Sequence, residues 1–161
     1  MQYHKLSEAQ LNEMHEEFAL FLAAQGINKT DWDQIKATEP HKIEAFLRTF
    51  SDMVWDKILT NCEYLEFSTA DQLFLFKTKK QLVDVRVVKI NSAAKIDLTT
   101  TKGFENMLSI LHTDQVDAFA ASKSYSPSRN RFIYDYLKKG ATLSKGERYR
   151  RLKSYFSNSP K

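Results

Sequence analysis

Apolar residues recur every three or four positions over the first sixty residues, and the period then drops to two. Ser7 and Gln10 stand at capping-box spacing, and Leu11, Met14, Phe18, Phe21 and Leu22 continue one stripe until Gly26 stops it. This predicts an amphipathic helix. Thr30 is placed to cap a short helix holding Trp32 and Ile35. Pro40 is placed to open a second long helix with the stripe Ile43, Phe46, Leu47, Phe50, Met53, Val54 and Ile58. Neither stripe can be buried by its own helix, so the pair predicts a helical hairpin with Phe18, Phe21, Phe46, Phe50 and Trp55 in one core.

Residues 64–67, 73–76 and 82–90 are rich in aromatic and β-branched side chains, and Val83, Val85 and Val87 alternate with Asp84 and Arg86. A small antiparallel sheet follows, its clearest hairpin turning near Lys79 and Lys80. Residues 97–101 read as the N-cap region of a helix carrying Phe104, Met107, Leu108 and Leu111, and a further helix is expected around 116–121. Residues 122–128, with Pro127, read as a linker. After it Phe132, Ile133, Tyr136 and Leu137 form a helix face ending at Gly140. Ser144 is expected to begin the last helix, with the stripe Tyr149, Leu152 and Phe156, and residues 157–161 to fray. The fold class expected is α+β in a single domain: N-terminal helical hairpin, small antiparallel β-sheet in the middle, C-terminal helices. Residues 1–121 would form the core and residues 122–161 a basic helical segment packed on it.

Composition narrows this picture. Four glycines and three prolines in 161 residues suit helices with short connections. The single Cys62 excludes an intramolecular disulfide, and no stretch resembles a signal peptide or membrane span, so a cytoplasmic protein without a membrane partner is expected.

Candidate chemistry is sparse. His15-Glu16 has Ala19 where a zinc-protease helix needs a second His, and His4, His41 and His112 have no matching Cys or Asp cluster. Ser92 and Lys95 fit a serine-x-x-lysine spacing, but the partner motifs of that enzyme class are missing and the segment follows a strand, which favours coincidence. Cys62 next to Tyr64 and Leu65 reads as a buried small hydrophobe. Asp52, Asp56, Glu63 and Glu66 read as solvated acids. No phosphate-cradling glycine loop occurs, and Lys145-Gly146 reverses the order that such a loop needs. No cofactor, metal or catalytic residue is therefore assigned, and the expectation is a non-enzyme.

Charge supplies the remaining signal. From Ala120 onward 11 Lys and Arg stand against two acids, a net of +9, whereas the first 119 residues hold 13 bases and 18 acids, a net of −5. On the last helix Arg148, Arg151 and Tyr155 form a row beside the apolar stripe and Arg150 and Lys153 lie on the stripe's other flank, with Lys145 just before, while the preceding helix adds Arg129, Arg131, Lys138 and Lys139. Guanidinium forks match phosphate oxygens and an interleaved tyrosine offers a stacking face, which is how proteins hold nucleic acid. The expected function is binding of a polyanion, RNA or a ribonucleoprotein, by these residues. The alternatives are an adaptor that offers an exposed sheet edge to an acidic or other protein partner, its basic tail solvated or docked on the chain's own acids, and a DNA-binding helix-turn-helix. A hydrolase ranks last, because no nucleophile and base can be paired.

Several stretches resemble a known family: Tyr3 to Leu6, Glu17-Phe18 with Phe21-Leu22, Trp32 with Ile35-Lys36, residues 50–55, Tyr64-Leu65-Glu66, and residues 140–147. They are similar to an uncharacterised family of small proteins, a domain of unknown function, common in the Bacteroidota. The resemblance implies a bacterial intracellular protein and supplies no activity.

Overall fold

Ser7 opens the first helix as its spacing predicts: its hydroxyl accepts from the Gln10 N–H while the Gln10 side chain accepts from the Ser7 N–H. The computed structural model describes residues 3–158, apart from the side chains of Tyr155, Ser157 and Asn158. Helix α1 (Glu8–Glu13) ends at Met14, whose φ of −108° and ψ of 26° leave the helical region, and α2 (His15–Ala24) starts beyond it. The continuous helix expected here is thus two helices. α3 (Lys29–Thr38) is capped by Asn28, not Thr30: Asn28 Oδ1 accepts from the Asp31 N–H at 2.8 Å, and the Asp31 carboxylate accepts from the Asn28 N–H at 3.1 Å. Asparagine is the better cap, and its partner stands three residues on. Pro40 begins α4 (Pro40–Asn61) as expected.

The chain forms two compact units, one ending at Thr60 and the other beginning at Asn61. In the first, Leu6, Phe21, Leu22, Phe50 and Val54 are buried, with Phe18, Trp32, Phe46 and Ile58 packed against them. Phe50 lies at the centre, its ring 5.0 Å from that of Phe18 and 5.4 Å from that of Phe21. Trp55 does not join this core. One residue past Val54 it is turned about 100° around the helix, and its indole N–H donates to the His4 carbonyl at 3.0 Å. The Leu6 N–H similarly donates to buried Ser51 at 3.0 Å, tying the N-terminal segment to α4.

The second unit is built on a five-stranded antiparallel sheet of order β4-β3-β2-β1-β5: β1 (Tyr64–Ser68), β2 (Gln72–Thr78), β3 (Leu82–Ile90), β4 (Val116–Ser124) and β5 (Thr142–Ser144). The β2–β3 turn closes where predicted, by the Lys79 N–H on the Leu82 carbonyl at 3.0 Å and by the Tyr125 hydroxyl donating to the Lys79 carbonyl at 2.6 Å. Residues 116–121, expected as a helix, are a strand, and Ser122 to Ser124 extend it instead of beginning a linker. The ladder supplied by β3 overrides the helical preference of Ala118, Ala120 and Ala121.

α5 (Thr101–Ser109), capped by Thr100, and α7 (Glu147–Asn158) place Phe104, Met107, Tyr149 and Leu152 over one sheet face, on Leu73, Leu75, Val88 and Ile90. α6 (Arg129–Lys138) packs Phe132 and Tyr136 against Phe76, at 5.8 Å and 4.7 Å between rings. Ser144 belongs to β5, not to the last helix. Gly146 makes the turn into α7 at φ +82°, where an added Cβ would lie 2.6 Å from the Tyr64 ring. α7 continues through Ser157 to Asn158, and the rest of the stretch expected to fray, residues 159–161, lies outside the described residues.

The first core predicts its own weak point. Replacing Phe50 by Ala removes a ring that is 1% exposed and should cost about 3–5 kcal/mol in a denaturant titration; an unchanged midpoint would show that the stripe is not a core.

Candidate functional site

Burial of Tyr149 and Leu152 fixes which way the arginines of α7 point. Arg148 reaches Glu66 at 3.8 Å, and Arg151 grips Glu105 with both terminal guanidinium nitrogens, Nη1 and Nη2, at 2.5 and 2.9 Å. Both guanidinium groups also lie over the buried Phe104 ring, 4.9 Å and 5.4 Å from its centroid. Arg150 projects elsewhere: it donates to the Lys145 carbonyl at 2.8 Å and lies 5.7 Å from the Tyr64 ring. Lys153 is exposed, and the Tyr155 side chain lies outside the described residues.

On α6 the pattern is similar. Arg129 turns inward and donates to the Cys62 carbonyl at 2.5 Å, and Arg131 pairs with Asp135 at 3.2 Å one turn on. Lys138 and Lys139 are exposed, with their ammonium groups 5.4 Å from the Tyr134 ring and 4.8 Å from the Tyr136 ring. Arg129, Arg131, Arg148 and Arg151 are therefore engaged within the chain. Lys138, Lys139, Lys145 and Arg150 have no carboxylate within ion-pair distance among the described residues.

Lys138 and Lys139 close α6 before β5 begins, and Lys145 and Arg150 follow its other end, so basic groups bracket this short edge strand. At the first of these ends the half-buried rings of Phe67 and Tyr136 lie 6.2 Å apart, with Phe74 6.0 Å from Phe67. Leu143 on β5 is 49% exposed. The charge division follows the fold. Through Thr60 the chain holds 10 acids and six bases, a net of −4, and from Asn61 on it holds 18 bases and 10 acids, a net of +8.

A second polar group lies in the sheet itself and carries no sequence motif. The cross-strand pairing of Lys77 with Asp84 and of Leu75 with Arg86 places Asp84 and Arg86 on the face that Tyr149 covers. Burial pushes the Asp84 carboxyl up, but hydrogen bonds from Lys79 at 2.7 Å and from Ser122, with the charges of Lys79 and Arg86, hold it below its ordinary value. Arg86 Nε and the Tyr149 hydroxyl are buried without a hydrogen-bond partner among the described residues. The alternation of Val83, Val85 and Val87 was the available signal, because it puts residues 84 and 86 on one face.

The remaining motifs separate. Ser92 and Lys95 sit exposed on a 3-10 turn, Lys95 at φ +53°. Cys62 is buried, and desolvation pushes its thiol up against the hydrogen bond from Thr78. His15 Nδ1 lies 3.1 Å from the Asn12 carbonyl. In the first unit an open hollow of about 450 Å³ runs between α2 and α3, walled by Phe18, Leu22, Ile27 and Trp32 with His15 and Lys29 at its rim.

The grip of Arg151 on Glu105 has a pH signature. The hydrogen bond from Arg151, with the charges of Arg151 and Arg148, lowers the Glu105 carboxyl from 4.5. A depressed carboxyl contributes stability that is present above its unfolded value and lost as pH falls through the folded one. Glu105→Gln should therefore have a lower denaturation midpoint than wild type at neutral pH, and the gap should close well below pH 4.5. A gap that persists in acid would show that the pair contributes nothing through charge.

Among the described residues no helix is long and apolar enough to cross a membrane. No curated protein and no solved structure matches the chain. A family model does, over residues 1–157, and its description, a family of unknown function (DUF6495), names the group to which this chain belongs.

Proposed function

We propose that the unit beginning at Asn61 binds a polyanion, RNA or a ribonucleoprotein, in the cytoplasm, without enzymatic activity. The observation that carries this reading is the set of Lys138, Lys139, Lys145 and Arg150, exposed and without carboxylate partners among the described residues, on a unit of net charge +8. Ammonium groups free of internal carboxylates release counterions when they meet phosphates, and that release supplies most of the free energy of sequence-independent binding. Tyr136 and Phe67 beside Lys139 offer partly open ring faces on which a base can stack. Arg148 and Arg151 contribute to folding, because turning toward a phosphate would cost them their glutamates and the Phe104 face.

A second reading, acceptance of a partner strand at a sheet edge, is favoured by β4, which is exposed on both faces from Ala120 to Ser124.

Fluorescence anisotropy with a single-stranded RNA oligonucleotide tests the first reading. Log affinity should fall linearly with log salt, and Lys138→Ala, Lys139→Ala and Lys145→Ala should each reduce the slope by about 0.7. Arg148→Ala should leave the slope unchanged. A wild-type chain with no salt-dependent association at micromolar concentration would contradict the reading.

A further inference from the structure

The two edges of the sheet are unequal. β5 covers one with three residues, while β4 leaves nine residues at the other. The direction of the β4 hydrogen bonds follows from the ladder. The Asn91 N–H donates to the Gln115 carbonyl at 2.9 Å, and the register runs on as Lys89 opposite Asp117 and Val87 opposite Phe119. In an antiparallel ladder bonded pairs alternate with unbonded ones. Asp117, Phe119, Ala121 and Lys123 therefore bond to β3, and Ala118, Ala120, Ser122 and Ser124 aim their N–H and C=O groups at the open edge. Among the described residues no backbone hydrogen bond from any segment other than β3 reaches residues 117–124.

Natural edges of this length are blunted by proline, a bulge or unopposed charge. β4 has neither proline nor bulge along its nine paired residues, and its two charges, Asp117 and Lys123, have opposite signs at equal distances from Ala120. We propose that β4 pairs antiparallel with β4 of a second copy of this chain, about a two-fold axis at Ala120. This rests on the strand-accepting reading and names the partner; it does not depend on polyanion binding.

Outward-facing residues must meet outward-facing residues, so the permitted registers move in steps of two. Centring on Ala120 sets Ala118 opposite Ser122 of the second copy, and on the other face Asp117 opposite Lys123 and Phe119 opposite Ala121. Each pair occurs twice by symmetry. Every residue of β4 is then paired, both charges are matched, and the Phe119 ring, 46% exposed in the single chain, lies over a small side chain. A shift in one direction puts Phe119 against Phe119 and Asp117 against Ala121; a shift in the other puts Lys123 against Phe119. Only the centred register matches the charges.

Sedimentation of the full chain across micromolar concentrations should show a dimer. Asp117→Lys should weaken it about tenfold, since the like-charge contact is made twice, and Asp117→Lys combined with Lys123→Asp should restore it. Ala120→Pro removes an N–H that β3 does not use, and should give a folded monomer. If that variant fails to fold, the charge swap still decides. A wild-type chain that stays monomeric, or a double swap that fails to restore dimers, overturns the proposal. Hydrogen exchange at Ala118, Ala120, Ser122 and Ser124 separates the two ideas. Fast exchange in a monomer removes the second copy but leaves the edge open to another strand; protection in a monomer removes both.

Discussion

The contact on which the charge distribution of this protein depends is apolar: Tyr149 and Leu152 of α7 buried on the sheet beside Phe104. With that stripe docked, Arg148 and Arg151 lie over the Phe104 ring, within reach of Glu66 and Glu105. Exposed ion pairs add little to stability, typically about 0–1 kcal/mol. Their consequence here is different: they engage two arginines with carboxylates of the chain and leave Arg150, which points the other way, and the lysines that bracket β5 without such partners among the described residues.

The same sheet sets a second constraint. An open antiparallel sheet must end somewhere, and here it ends in β5 on one side and β4 on the other. The short edge is bracketed by basic groups without carboxylate partners among the described residues, while the long edge carries Phe119, small side chains and one balanced pair of charges. The proposed polyanion surface, at the β5 edge, and the proposed strand-pairing surface, at the β4 edge, therefore do not compete for the same residues. Pairing through β4 would present the basic edge twice on one assembly, which raises the effective concentration for a long polyanion.

Helices with a buried stripe were legible in the sequence, as was the β2–β3 hairpin, because Val83, Val85 and Val87 alternate with polar residues over a half-buried surface. β4 was not. With Ala120 to Ser124 exposed on both faces it has no alternation to read, and its alanines favour a helix until β3 supplies the ladder. The pairing of Arg148 and Arg151 was also out of reach, since Glu66 and Glu105 are distant in the chain and only the docking of α7 brings them together. Basic residue type alone could not separate Arg148, inside the fold's own network, from Arg150 two positions on.

The most direct measurement of the central claim is amide chemical-shift mapping while a short single-stranded RNA is titrated into isotopically labelled protein. Perturbations should concentrate at Tyr136, Lys138, Lys139, Lys145 and Arg150, with Glu66 and Glu105, the partners of Arg148 and Arg151, silent. Perturbations centred on Glu66, Glu105 and Arg151, or none at all, would contradict the claim.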